Sequence, residues 1–170
     1  MQLYIMRHGE AQPILEQGST DCQRALTEQG KSEVNSVADW FKNNHINLNT
    51  IFVSPYIRAQ QTCSIVTAKA SVKTFTLELI TPSGDAQKVH DFIDGWCEQQ
   101  RTSTNKLLLK SDTKNLLIIS HMPLVSYLVA QLTQSTNAPI FATGTIAHIE
   151  YNEKTMQGTL KQLISPMNLN

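Results

Sequence analysis

The chain has 170 residues, 41% of them hydrophobic, which suits one domain (1–170) with a genuine core rather than two small ones. Its 14 basic and 14 acidic side chains cancel, which excludes an overall bias towards nucleic acid or an anionic membrane, so an anionic ligand would need a local cluster of cations. Cys22, Cys63 and Cys97 form no CxxC pair and nothing approaches the ~20 apolar residues of a membrane span, so reduced thiols in a cytoplasmic protein are expected.

Gln2 to Met6 is apolar and stopped by Gly9, and reads as a short buried strand, too short for a secretory signal. Glu10 to Arg24 is polar and aperiodic; a long loop directly after a first strand is often functional. Thr27 can cap a helix reaching about Asn44, whose Val34, Val37, Ala38 and Phe41 make one buried stripe. Ile51 to Val53 is the next strand, and Pro55 suits the first turn of a helix that buries Ala59, Thr62, Cys63 and Val66. A strand near Val72 to Thr76, a turn at Thr81 to Gly84 and a third helix from about Asp85 to Gln100 follow. Arg101 to Asn115 reads as a surface connection, with Leu107 to Leu109 as cover for the third helix or as a partner contact. Leu116 to Ser120 is a buried strand, Leu124 to Leu132 a fourth helix, and Gly144 to Tyr151 and Gly158 to Ser165 a closing hairpin.

Strands alternating with helices predict an α/β fold, a mainly parallel sheet with helices on both faces and an antiparallel strand at the C-terminal end. Ligands bind such sheets at the carboxyl ends of the strands. Arg7-His8, Ser54 to Arg58 and His121 each follow a predicted strand and so fall at that edge. A phosphoryl group spreads its charge over three oxygens, which planar guanidinium forks match in bidentate fashion. Arg7 and Arg58 fit that role, with Arg24 as a third candidate. A neutral imidazole beside those cations can attack phosphorus, and like charge helps to keep it neutral. Gly9 would bring a backbone amide near the phosphate, and His121 could donate to a phosphoryl oxygen. His45, His90 and His148 show no metal-ligand spacing, and no metal or cofactor is expected.

These residues carry a resemblance. Arg7-His8-Gly9-Glu10, Leu26-Thr27-Glu28-Gln29-Gly30, the segment Ser54 to Thr62 and Ser120-His121-Met122-Pro123 are similar, in order and place, to the four motifs of the histidine phosphatase (phosphoglycerate mutase-like) superfamily. The opening MQLYIMRHG, the segment Glu78 to Asp85, the run from Ser120 to Ala130 and the closing Ser165-Pro166-Met167-Asn168-Leu169 resemble the SixA-type phosphohistidine phosphatases. The resemblance implies His8 as nucleophile, a phosphate pocket of Arg7, Arg58 and His121 with Arg24 as a further contact, and an acidic proton donor for which Asp85 and Glu78 are candidates. Taken by itself, Asp85 reads better as a helix cap than as a proton donor. It also implies a monomer acting on a phosphohistidine protein, such as a histidine phosphotransfer domain or a phosphocarrier. Phosphohistidine departs as imidazole, whose conjugate acid has a pKa of about 6.5, so a weak acid would bias the enzyme towards N–P bonds. The alternatives are a small-molecule phosphomonoesterase or mutase using the same side chains, and a non-catalytic phosphohistidine-binding module.

Overall fold

The structure, a computed structural model, describes residues 1–13, 20–68, 71–102 and 114–169. Most of the connection from Arg101 to Asn115, with its leucine run, lies outside the described residues.

Six strands build one sheet: β1 (Gln2–Arg7), β2 (Thr50–Val53), β3 (Lys73–Thr76), β4 (Asn115–Ser120), β5 (Ile146–Asn152) and β6 (Gln157–Ile164). Their order is β3-β2-β4-β1-β5-β6. The first four run parallel, β5 pairs antiparallel with β1, and β6 pairs antiparallel with β5, as the alternating pattern and terminal hairpin predict. Four helices complete the fold: α1 (Glu28–Asn43), α2 (Ile57–Val66), α3 (Ala86–Thr102) and α4 (Leu124–Thr133).

The period of two in the strands sorts the core into two layers. Leu3 and Ile5 of β1 face α3 and α4 in one apolar cluster with Val89, Ile93, Leu124 and Leu128. Tyr4 and Met6 face α1 and α2 in the other, with Val34, Val37, Phe41, Ala59 and Cys63. Central strands covered on both faces must be apolar throughout. Accordingly Leu3 to Met6 and Leu116 to Ile119 are all buried. The edge strand β3 is exposed along its length.

Helix starts follow local chemistry. The Thr27 side chain accepts the Gly30 amide at 2.9 Å and so caps α1. Helix α2 begins at Ile57 with Tyr56 as its cap residue, so Pro55 stands just before the helix rather than in its first turn. The polar loop after β1 holds a short 3-10 turn, Asp21–Gln23, which aperiodicity had hidden.

Register then sets the site. Arg7 pairs with Ser120 across β1 and β4, and Val53 with Ile119 across β2 and β4. The residues one step beyond those strands, His8, Ser54 and His121, therefore converge at the carboxyl edge. The His8 amide donates to Ser120 O at 3.1 Å and the Ser54 amide to Ile119 O at 3.1 Å, carrying the ladder one residue further.

Candidate active site

His8 sits where its two ring nitrogens cannot exchange roles. Nδ1 lies 2.7 Å from the Gly9 carbonyl, which can only accept, so Nδ1 carries the hydrogen. Nε2 lies 3.1 Å from Nε of Arg58, which can only donate, so Nε2 presents its lone pair. The His8 pKa is lowered to about 4, first by burial and then by the positive charges of Arg58, Arg7 and Arg24. At neutral pH this is an uncharged imidazole with a nucleophilic nitrogen turned towards cations.

The His121 ring centre stands 4.9 Å from that of His8. Ser54 Oγ is 2.7 Å from His121 Nε2, and Tyr56 packs edge-on against the same ring. Burial, then the neighbouring His8 and Arg58, push the His121 pKa lower still. Its Nδ1 and the Nε of Arg7 are buried without a hydrogen-bond partner among the described residues. Such groups are costly unless something satisfies them, and here both belong to the cluster around His8.

The arginines are held from behind. Arg7 Nη1 donates to Phe141 O at 2.7 Å, while its amide donates to Thr145 O at 3.0 Å. Arg58, only 3% exposed at the start of α2, donates Nη1 to Asp21 O at 2.6 Å and Nη2 to Asp21 Oδ2 at 2.9 Å. Its guanidinium also lies 4.9 Å from the centre of the Tyr56 ring. Arg24 donates Nη1 to Asp21 Oδ1 at 2.8 Å and Nε to Gln12 O. Asp21, paired with both, has its pKa lowered; burial opposes the shift, and the hydrogen bonds and charges of Arg24 and Arg58 outweigh it.

The structure thus brings Arg7, His8, Arg58 and His121 together, with Arg24 linked to Arg58 through Asp21. Gly9 has a different use from the one its position suggested. Its amide donates to Thr62 Oγ1 at 3.2 Å, and Thr62 donates on to Arg58 O at 2.7 Å, tying the His8 segment to α2. A Cβ on Gly9 would stand 2.5 Å from Gly30 O, so the two motif glycines let α1 lie directly on the backbone that follows His8. Asp85 is exposed and caps α3, accepting from the Gln87 and Lys88 amides at 2.9 and 3.2 Å. Glu78 is exposed in a 3-10 turn, Glu78–Ile80.

Sequence reasoning missed Asp21, the Ser54 contact to His121, Tyr56 and the Phe141 carbonyl. Asp21 left a faint trace, an acid three residues before Arg24. A backbone carbonyl leaves none. Among the described residues no three His, Cys, Asp or Glu side chains gather as a metal site, and no helix is long and apolar enough to cross a membrane.

The profile of the histidine phosphatase superfamily (branch 1) matches residues 3–80. The chain is 34% identical to phosphohistidine phosphatase SixA of Escherichia coli (strain K12) over 99% of its own length and 96% of the relative's. It is also 34% identical to a SixA homolog of Haemophilus influenzae, over 88% of this chain and 87% of that one. The solved structure of the protein histidine phosphatase SixA complexed with tungstate superposes with a TM-score of 0.85 at 33% identity, covering all of both chains. The chain therefore belongs to the histidine phosphatase superfamily, branch 1, as a SixA homologue.

Proposed function

We propose that the chain is a protein phosphohistidine phosphatase that hydrolyses the N–P bond through a covalent phospho-His8 intermediate. The observation that carries this reading is the locked tautomer of His8: Nδ1–H on the Gly9 carbonyl and the Nε2 lone pair facing the arginines. In the first step Nε2 attacks phosphorus, the bond from phosphorus to the substrate imidazole breaks, and its electron pair leaves with that ring. Because Nδ1 keeps its hydrogen, phospho-His8 carries a positive ring stabilised by the Gly9 carbonyl. Water then attacks phosphorus, the P–Nε2 pair returns to the ring, and neutral His8 is restored as inorganic phosphate forms. One hydrogen bond thus serves the imidazole as nucleophile and as leaving group.

Arg7 and Arg58 grip the phosphoryl oxygens, Arg24 adds positive charge, and His121 donates to an oxygen. When the Ser54 hydroxyl donates to Nε2, the His121 hydrogen sits on Nδ1, which has no partner among the described residues. A SixA relative was solved with tungstate, an oxyanion of phosphate's shape, which supports an oxyanion beside these side chains.

The substrate class follows from the proton. An alkoxide must be protonated on the departing oxygen, inside the pocket. A phosphoimidazole takes its proton on the far ring nitrogen and departs as neutral imidazole. The two acids near the expected donor position are both exposed, and Asp85 is engaged at a helix cap, so N–P bonds fit this site better than alkyl esters. The partner is then a protein that presents phosphohistidine on its surface, such as a phosphotransfer domain or phosphocarrier.

Incubation with a radiolabelled phosphohistidine protein tests this. Label should appear transiently on the wild-type chain and not on His8→Ala. Equal turnover of alkyl phosphoesters and phosphohistidine would overturn the substrate assignment, and turnover by His8→Ala would overturn the mechanism.

A further inference from the structure

The arginines meant for an anion already hold one. The Asp21 carboxylate spans them, Oδ2 on Arg58 at 2.9 Å and Oδ1 on Arg24 at 2.8 Å. A strut holding the two guanidiniums in place would explain this, but each has a backbone anchor as well. Arg58 donates to Asp21 O at 2.6 Å and to His8 Nε2 at 3.1 Å, and Arg24 donates to the Gln12 carbonyl. Those bonds survive any substitution of the Asp21 side chain. The carboxylate is therefore redundant for position while remaining a full negative charge beside Arg58 and Arg24, and it is itself 41% exposed.

Of the five N–H groups of Arg58, one goes to His8 and two to Asp21, and the remaining two, without a partner among the described residues, can meet an oxyanion. A phosphate dianion entering there meets guanidiniums that are half neutralised, and it is repelled by Asp21. We propose that the Asp21 carboxylate is an internal counter-ion: it competes with phosphate for Arg58 and Arg24, weakens the hold on the inorganic phosphate product and so favours its release. The inference rests on the reading of the cluster around His8 as a phosphoryl site.

The sign of the effect separates a counter-ion from a strut. Removing a strut weakens anion binding; removing a competing charge tightens it. Titration of inorganic phosphate at neutral pH and low ionic strength into wild type, Asp21→Asn and Asp21→Ala should show both variants binding about 10-fold more tightly, the scale of one nearby unit charge after solvent screening. Phosphate should inhibit turnover more strongly by the same factor, and the gap should narrow in about 1 M salt. Phosphate binding that is equal or weaker in the variants, with unchanged circular dichroism, overturns the proposal. Should Asp21→Ala fail to fold, the Asn variant decides. Arg58→Gln serves as the control: if it binds phosphate as well as wild type does, or if no form of the chain binds phosphate, the phosphoryl reading itself fails and the inference falls with it.

Discussion

Two buried histidine clusters sit at opposite ends of the same sheet, and they differ in how their polar atoms are satisfied. At the far end His90 of α3 donates Nε2–H to the Tyr151 hydroxyl at 2.8 Å, Met156 O lies 3.2 Å from the same nitrogen, and Tyr151 passes its own hydrogen to Asp94. Every member of that chain has a partner, and apolar Val89, Ile93 and Cys97 surround it in the core. At the near end His8 and His121 are as deeply buried, yet among the described residues His121 Nδ1 and Arg7 Nε go without partners and the charges are mostly of one sign. A closed network stabilises a fold, whereas an open one of like charge is tolerated only where a ligand completes it. By this contrast the proposed role of His8 is chemical, while His90 fits the architecture.

The largest test of that division is a pair of substitutions. His8→Ala should lower the phosphohistidine turnover number by at least ~10⁴-fold, the scale seen when a nucleophile is removed, while changing stability by less than about 1 kcal/mol. Tyr151→Phe should do the opposite: stability falls by about 1–3 kcal/mol because His90 and Asp94 lose their shared partner, and turnover stays within about twofold. Denaturant melts alongside steady-state rates check both, and a large rate loss in Tyr151→Phe would break the comparison.

Acid sensitivity sharpens it. His8 remains neutral in the folded chain down to about pH 4, because burial and then the arginines disfavour its proton, whereas in the unfolded chain it protonates near 6.5. Below that value the unfolded state binds the extra proton, so stability falls as pH drops from about 6.5 towards 4; above it His8 contributes no pH dependence. His8→Ala should therefore reduce the stability lost between pH 7 and 4.5 by about 1–3 kcal/mol. In proton NMR the His8 ring should show no titration step between pH 5.5 and 8, and a step near 6.5 would contradict its assigned neutrality.

The smallest effect concerns Asp85, which begins the helix that carries His90. As a cap its loss in Asp85→Ala should cost about 1 kcal/mol in a thermal melt and leave phosphohistidine turnover within about threefold. A turnover loss above tenfold would make it the proton donor and move it to the catalytic side of the division.

How much of this could be read along the chain varies with the physics of each element. Strand and helix bounds follow burial periodicity, so β1, β4 and α1 fall within a residue or two of their predicted limits. The turn Asp21–Gln23 was invisible because a three-residue helix has no periodicity to detect. Gly9 was singled out for a phosphate contact, whereas its close approach to Gly30 depends on how α1 packs against the segment after β1, which sequence spacing does not fix.

Taken alone, the order of residues determined the layer pattern, the apolar central strands, the four motifs and the identity of the histidines and arginines that meet. These are local properties, set by side-chain chemistry and by periods of 2 and 3.6. Which tautomer His8 holds, which carbonyls anchor the guanidiniums and that an aspartate lies between two of them were decided only in three dimensions. Hydrogen-bond partners distant in sequence, many of them backbone atoms common to every residue, have no signature until the sheet's register brings them within reach.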